Sequence, residues 1–413
     1  MYKKLGASAV IVGLFSSVNI AQAADDDLGI YGFLSVGAAV LDTENRVDSN
    51  NINYGNSVSL DGFDEDSGNF KQDAIFGLQI TKQVNDKTSA TGQLVSRGGS
   101  NYNTEAAWAF VTYNATKDID IRMGRLRIPF FYYSEFLEVG YAYNWVRTPS
   151  DVYSLPFSSF DGADITKRFS FGRFDGSVKL NYGRFTETID LYGDNYEADL
   201  TNIVGIVAEL NRGDFGFRLS AQQAEVTFDM DKGDGQFDAA AGRFVSDSGR
   251  LVDDLRANAI GAIANSAFND AQKEELKEEF TFDAHKANFY DAAFTYNNGT
   301  YGLVAEANSI IYESALLMDI DAWLVSVSRR ISDVTLHATY STSKSDFDSG
   351  NAGLIQKQLP LHGEDVSMIL GARYDYSSGT ALKFEVEHHD EKIHLNQDGN
   401  SGMLYSVAVD MIF

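Results

Sequence analysis

The sequence contains no cysteine, so neither a disulfide framework nor a thiolate metal site can organise this chain. Proline is nearly absent, at four in 413 residues, and no Pro- or Ser-rich linker interrupts the chain. A soluble chain of this length would ordinarily divide into two or three domains. Without a linker, residues 24–413 read as one. Basic residues are scarce beside acidic ones, 33 Lys and Arg against 59 Asp and Glu, for a net charge of −26. That balance excludes nucleic acid as a partner held by bulk electrostatics. Long hydrophobic runs are missing too. Beyond residue 23 nothing approaches the ~20 apolar residues a membrane-spanning helix needs.

The longest uncharged apolar stretch sits at the start. Lys3 and Lys4 form a basic n-region, residues 7–18 are apolar and too short to span, and Ala21-Gln22-Ala23 offers a small-x-small cleavage pattern. Residues 1–23 therefore read as a secretory signal peptide, with the mature chain beginning at Ala24.

What the chain has in quantity is glycine (36), tyrosine (21) and phenylalanine (28). These suit short strands, tight turns and aromatic girdles. Period-two alternation dominates. Ala74, Phe76, Leu78 and Ile80 alternate with Ile75, Gly77, Gln79 and Thr81. Leu382, Phe384 and Val386 alternate with Lys383, Glu385 and Glu387, and Tyr405, Val407, Val409, Met411 and Phe413 with Ser406, Ala408, Asp410 and Ile412. In an exported chain with an aromatic terminus, the apolar face is expected to meet lipid and the polar face a lumen. The phase of the fourth strand is ambiguous, because Trp108 and Phe110 compete with Ala107, Ala109, Val111 and Tyr113.

The connections are asymmetric. Seven are short and turn-like, at 85–87, 115–118, 172–176, 211–214, 297–299, 332–333 and 377–379. Between them lie long polar ones, at 43–71, 130–160, 229–286 and 346–364. Seven hairpins, plus a first strand over 28–41 and a last over 403–413, predict an all-β transmembrane antiparallel barrel of 16 strands. Closure satisfies every backbone polar group in lipid, and this width leaves an aqueous channel. Both termini are expected on the periplasmic side. In the external loop over 229–285, Leu251, Leu255, Ile260 and Ile263 recur at helical spacing, and 270–280 reads as a second helix with an acidic N-cap. Two short helices folded over the outer mouth are expected there.

At Arg122-Met-Gly-Arg-Leu-Arg-Ile-Pro129, followed by Phe130-Phe-Tyr-Tyr-Ser-Glu-Phe136 and by 145–153, the chain resembles the Gram-negative general porin family. The resemblance implies an outer-membrane channel for passive diffusion of small hydrophilic solutes and ions, with no cofactor. It implies that the third external loop, 130–160, folds into the barrel and narrows it. It further implies a homotrimer among outer-membrane lipid and lipopolysaccharide, and a terminal Phe413 read by the barrel-assembly machinery. Gly37, Ala38 and Ala39 are candidate small residues for a trimer wall. The sequence departs from the family in its short second loop, 98–105, and in the helical insertion.

A constriction needs cations on one wall and carboxylates facing them, since charged rings set ion preference. By strand phase Arg97, Arg122, Arg168, Lys179 and Arg218 point inward. Arg125 has the wrong phase for a flat strand, and a bulge at Gly124 would turn it inward. The loop supplies Glu135, Glu138 and Asp151, expected to oppose Arg97, Arg122, Arg125 and Arg168 across a water-filled gap. Each arginine could equally form a lumenal ion pair that stiffens the barrel. Tyr132, Tyr133, Tyr141 and Tyr143 could form a polar-aromatic slide or pack the loop to the wall.

Other chemistry finds little support. The run from Asp229 to Gly235 resembles a calcium loop, but Ala240 stands where a bidentate Glu is needed. His362, His388 and His389 lack metal-ligand spacing, and no nucleophile elbow or phosphate loop occurs. No metal and no catalysis are expected. The alternatives to a general channel are a substrate-selective one for a sugar, peptide or anion, and, further off, a barrel enzyme or a structural or adhesive barrel.

Overall fold

The computed structural model describes residues 28–43, 68–191, 193–238, 243–359, 362–393 and 401–413. The expected signal peptide lies outside them, as does most of the first long connection. The strands are β1 (Leu28–Thr43), β2 (Ile75–Asn85), β3 (Thr88–Arg97), β4 (Thr104–Thr116), β5 (Ile119–Arg127), β6 (Ser159–Phe171), β7 (Phe174–Leu191), β8 (Asp194–Arg212) and β9 (Phe215–Phe228). A small hairpin, β10 (Gln236–Asp238) and β11 (Arg243–Val245), stands apart. Then follow β12 (His285–Asn297), β13 (Tyr301–Tyr312), β14 (Asp319–Ile331), β15 (Val334–Asp346), β16 (His362–Ser377), β17 (Thr380–Ile393) and β18 (Ser401–Ile412). β1–β9 and β12–β18 close into one antiparallel barrel in which each strand pairs with its neighbours in sequence and β1 pairs with β18. That is the expected 16-strand barrel, and the seven short turns fall where the sequence put them. At the short-turn end the first and last strands meet, Gly32 donating to the Phe413 carbonyl at 2.6 Å and Phe413 to the Gly32 carbonyl at 2.9 Å.

Side-chain phase follows the pleat. On β18, Tyr405 and Val407 are exposed outward while Ser406 and Asp410 are buried inward. A register shift beside Gln93 resolves the ambiguity of β4. Past it, Val111 and Tyr113 face out, and Phe110 faces in beneath the Arg122 guanidinium at 5.3 Å. Of the three small residues on β1, only Ala38 lies on the outer face. Ala39 is 1% exposed, and a Cβ on Gly37 would meet the inward-facing Asp73 at 2.7 Å.

β7 and β8 run to 18 and 19 residues, well beyond the ~10 that cross a bilayer. Their outer surface changes character partway. Leu180, Tyr182, Val204, Ile206, Phe217 and Leu219 are exposed apolar groups. Above them the outward positions are polar: Arg184, Asp199, Asn202, Gln223 and Glu225. Inside, the order reverses, because Tyr196, Ala198, Leu200, Val226 and Phe228 turn apolar side chains inward. This region is built like a soluble sheet. Its apolar inner face therefore needs a cover.

The insertion supplies it. Helix α1 (Leu251–Asn265) and helix α2 (Asp270–Glu279) bring Leu255, Ile260, Ile263 and Leu276 against those strands, joined by Phe280, Phe282 and Leu316. Each such side chain contributes about 1.5–3 kcal/mol when buried. The cap of α2 is Asn269, closing a capping box with Gln272, rather than an acidic residue; Asp270 is its first residue. A third helix, α3 (Gly350–Gln356), was not anticipated. It is 7 residues long, too short for periodicity to show, and Ile355 joins the same core.

Candidate functional site

The chain turns inward where β5 ends. Ile128 donates to the Ser158 carbonyl at 2.8 Å and closes the neck of the loop. Beyond it Arg218 of β9 donates to the carbonyls of Pro129 (2.6 Å) and Phe130 (2.9 Å), and Ser220 donates to Pro129 (2.8 Å). Phe130 and Phe131 pack edge-on to Phe289 of β12, at 4.8 and 5.2 Å between centroids. Farther along, Tyr133, Tyr143 and Trp145 pack on Ala322, Leu324 and Ile369 of β14 and β16. Trp145 Nε1 donates to Thr339 Oγ1 of β15 at 2.8 Å. Val139 seats among Phe33, Val95 and Ala107 of β1, β3 and β4. The tyrosines are thus mostly packing groups, with Tyr133 and Tyr143 at 7% and 6% exposure. The loop crosses the lumen, as expected, and it touches nearly the whole circumference.

Two of the three loop acids meet the expected arginines, but in contact rather than across water. Glu135 lies 2.5 Å from Lys179 Nζ and 3.4 Å from Arg122 Nη2. Arg122 also grips Asp164 of β6 through Nε at 3.0 Å to both carboxylate oxygens. Glu138 receives Arg97 Nε at 3.0 Å and Nη2 at 2.7 Å, and Arg127 Nη1 at 3.3 Å. The Lys179 ammonium holds the Glu135 carboxyl well below the usual range, against burial and with help from Arg122. Burial opposes the charged form of Glu138, but Arg127 and Arg97 outweigh it and the pKa is lowered. These pairs fasten the loop to the wall.

The other expected partners stand elsewhere. Arg125 pairs with Asp161 (Nε to Oδ1, 3.1 Å) and Glu187 (2.6 Å). Gly124 has φ +133° and its Cβ would lie 2.2 Å from the Ala109 carbonyl, so the backbones approach closely there. Yet the pairing runs on unshifted through Phe110 with Gly124 and Ala109 with Arg125. No residue is added, so Arg125 keeps its outward phase and joins the polar collar above the lipid-facing surface. Arg168 is inward but half-exposed near the short-turn end, paired with Asp120, away from the loop acids. Asp151 faces the far wall, accepting from Ser341 Oγ at 2.6 Å with His389 Nδ1 at 3.9 Å. Burial raises the Asp151 pKa, with Ser341 and His389 offsetting part of the shift.

Cross-strand pairing also brings Ser367 Oγ to 2.9 Å from His389 Nδ1, with Asp365 3.5 Å from His389 Nε2. The residues match a hydrolase triad in kind. But Ser367 is 1% exposed, so no substrate carbonyl can reach its oxygen. The set holds Asp151 in place.

No protein-family model and no curated protein matches the chain. Solved structures do match it along nearly its full length. The outer membrane channel DcaP of Acinetobacter baumannii aligns with TM-score 0.57 at 11% identity, covering 95% of this chain and 100% of that one. OmpT, an outer membrane protein of Vibrio cholerae, aligns with TM-score 0.54 at 12% identity, covering 95% and 100%. An anion-selective porin from Comamonas acidovorans aligns with TM-score 0.51 at 11% identity, covering 94% and 99%. The fold is the closed antiparallel barrel of these outer-membrane proteins.

Within this barrel, sequence reasoning missed several groups that fasten the loop: Arg127, Glu306, Arg373 and Lys383 on the wall, Arg147 in the loop, and Asp164, which holds Arg122. Arg147 of the loop reaches Asp73 (2.9 Å) and Ser406 (2.9 Å). Glu306 of β13 accepts from the Tyr132 backbone N–H at 2.8 Å and from the Tyr153 hydroxyl. Strand alternation did mark Lys383 as inward. What it could not show is that Lys383 and Arg373 hold loop carbonyls, which carry no sequence signal.

Proposed function

We propose that the protein is an outer-membrane diffusion channel for small hydrophilic solutes and ions, and not an enzyme. The observation that carries this is the loop over residues 130–160 laid across the lumen of a closed 16-strand barrel and pinned by charged groups. Charged side chains at a waist set ion preference and orient dipolar solutes. Glu135, Lys179 and Arg122 retain side-chain exposures of 35%, 16% and 20%, which leaves them open to a passing solute. In this reading Arg97, Arg122, Glu135 and Glu138 line the constriction, with Arg127 and Lys179 added. Because the loop meets the wall on nearly every side, a selective channel for one solute class is the second reading. The protein is placed in the outer membrane by an export signal over residues 1–23, with Phe413 read by the assembly machinery, lipopolysaccharide around the collar and two further copies against the Ala38 face.

The deciding experiment is planar-bilayer recording of the purified barrel under a salt gradient. Discrete conductance steps with a measurable reversal potential are expected. A barrel that inserts and passes no current would sink the reading.

A further inference from the structure

Basic side chains from three strands hold the loop by its backbone carbonyls, and each is balanced by an acid on the wall. Arg218 does so at the start of the loop, with Asp291 at 2.6 Å. The other two act at the far end. Lys383 of β17 is 0% exposed and donates Nζ to the carbonyls of Gly140 (2.6 Å) and Trp145 (2.5 Å), with Asp410 of β18 at 2.8 Å. Arg373 of β16 donates Nη1 to the carbonyls of Tyr141 (2.7 Å) and Tyr143 (2.9 Å), with Asp375 at 2.8 Å. The same cations lie over rings of the segment they hold, Arg373 4.5 Å from Tyr141 and Lys383 4.7 Å from Tyr143.

Four carbonyls within six residues therefore turn toward two adjacent strands. The segment forms no β-ladder with the wall. Of these four carbonyls, its own turns (Val139 to Phe136, Ala142 to Val139, and Tyr143 to Gly140 at 3.4 Å) engage that of Gly140 alone, at long range. A buried carbonyl needs a partner, and these two cations supply one to each of the four. Gly140 allows the approach, since a Cβ there would lie 2.3 Å from Asp410 Oδ1.

We propose that Lys383 and Arg373 are positioning residues that latch residues 139–147 across the lumen, and that this latch sets the size limit of the channel. The proposal deepens the channel reading and rests on it. Two variants test it. Lys383→Met/Asp410→Asn removes a buried cation together with its counter-ion, so no charge is left alone. Arg373→Gln is milder, because Asp375 keeps Arg330 at 2.9 Å. If the first fails to assemble, the second still decides.

Two readouts are needed: amide hydrogen exchange along the loop, and swelling of liposomes in sugars of increasing size. In both variants, exchange over 139–147 should rise about tenfold or more while the strands stay protected, as expected when a local opening becomes easier. Sugars excluded by the parent should enter several-fold faster. Assembled variants with the parent's exchange at this segment overturn the latch. Faster exchange with an unchanged size limit overturns it as the determinant of permeation. Absence of conductance in the parent and both variants sinks the channel reading instead, while exchange still decides the latch.

Discussion

The Arg122 and Asp164 pair offers a closed test of how the loop is fastened. Asp164 has 2% side-chain exposure and Arg122 20%, and Arg122 also stacks over Phe110. Truncating one partner of a buried pair costs about 3–5 kcal/mol, mostly for the charge left behind. Arg122→Ala should therefore lower barrel stability by about that amount. Adding Asp164→Asn removes the stranded carboxylate. What stays lost is the charged hydrogen bonding and the cation–π contact, together roughly 2 kcal/mol. The double variant should thus be more stable than Arg122→Ala alone, by about 2 kcal/mol. Glu135 keeps Lys179 throughout, so the loop remains in place. The measurement is equilibrium urea unfolding in lipid vesicles on the parent, Arg122→Ala, Asp164→Asn and the double variant, with the folded fraction read from gel mobility. Reversal potential gives an independent sign. Arg122→Ala should shift it toward cations, and the double variant should return near the parent because the two charges cancel. If Asp164→Asn restores neither stability nor potential in the Arg122→Ala background, the two residues are not coupled and the account of the anchor is wrong.

Three further outcomes follow from the same geometry. Glu135 and Glu138 have folded pKa values below those of a free carboxylate, so their contribution to holding the loop is full at neutral pH. Sign and window follow: the contribution begins to fall as pH drops through the ordinary carboxylate range near 4, where the undocked carboxyl takes up a proton, and is gone once pH passes below the lowered values. Hydrogen exchange at 134–139 should stay slow at pH 4; loss of protection at pH 5 would contradict it. Gly124→Ala meets both a left-handed φ of +133° and the Ala109 carbonyl at 2.2 Å, so it should destabilise the barrel by about 1–3 kcal/mol or more, read by urea unfolding. The change of outer surface on β7–β9 marks the lipid boundary. Leu219→Arg should cost about 2–4 kcal/mol in vesicles while Glu225→Arg costs under about 1, and equal costs would misplace the boundary.

Strand number, turn positions and closure were legible in the residues themselves. Period-two alternation is a local property of the pleat, and short turns announce themselves by composition. Infolding of 130–160 was legible through resemblance, as were inward cations such as Arg97, Arg122, Lys179 and Arg218 through strand phase. Register was not. The shift beside Gln93 and the absence of one at Gly124 depend on how two strands align, and a single strand does not contain that information. That is why Trp108 and Phe110 were ambiguous and Arg125 was turned the wrong way.

Partner choice was also beyond the sequence. Asp151 was expected to face arginines and instead meets Ser341 and His389, because the loop's path across the lumen sets which wall each acid reaches. The inversion of β8 and β9 into a soluble-type sheet required the helical insertion to be seen against it, since alternation looks the same whichever side is wet. Alternation in this chain determined that a barrel forms and which residues share a face. Tertiary structure alone decided which face meets lipid at each height and which carbonyls and carboxylates each buried cation holds, because those contacts join residues up to 243 positions apart, a separation at which local sequence carries no geometric constraint.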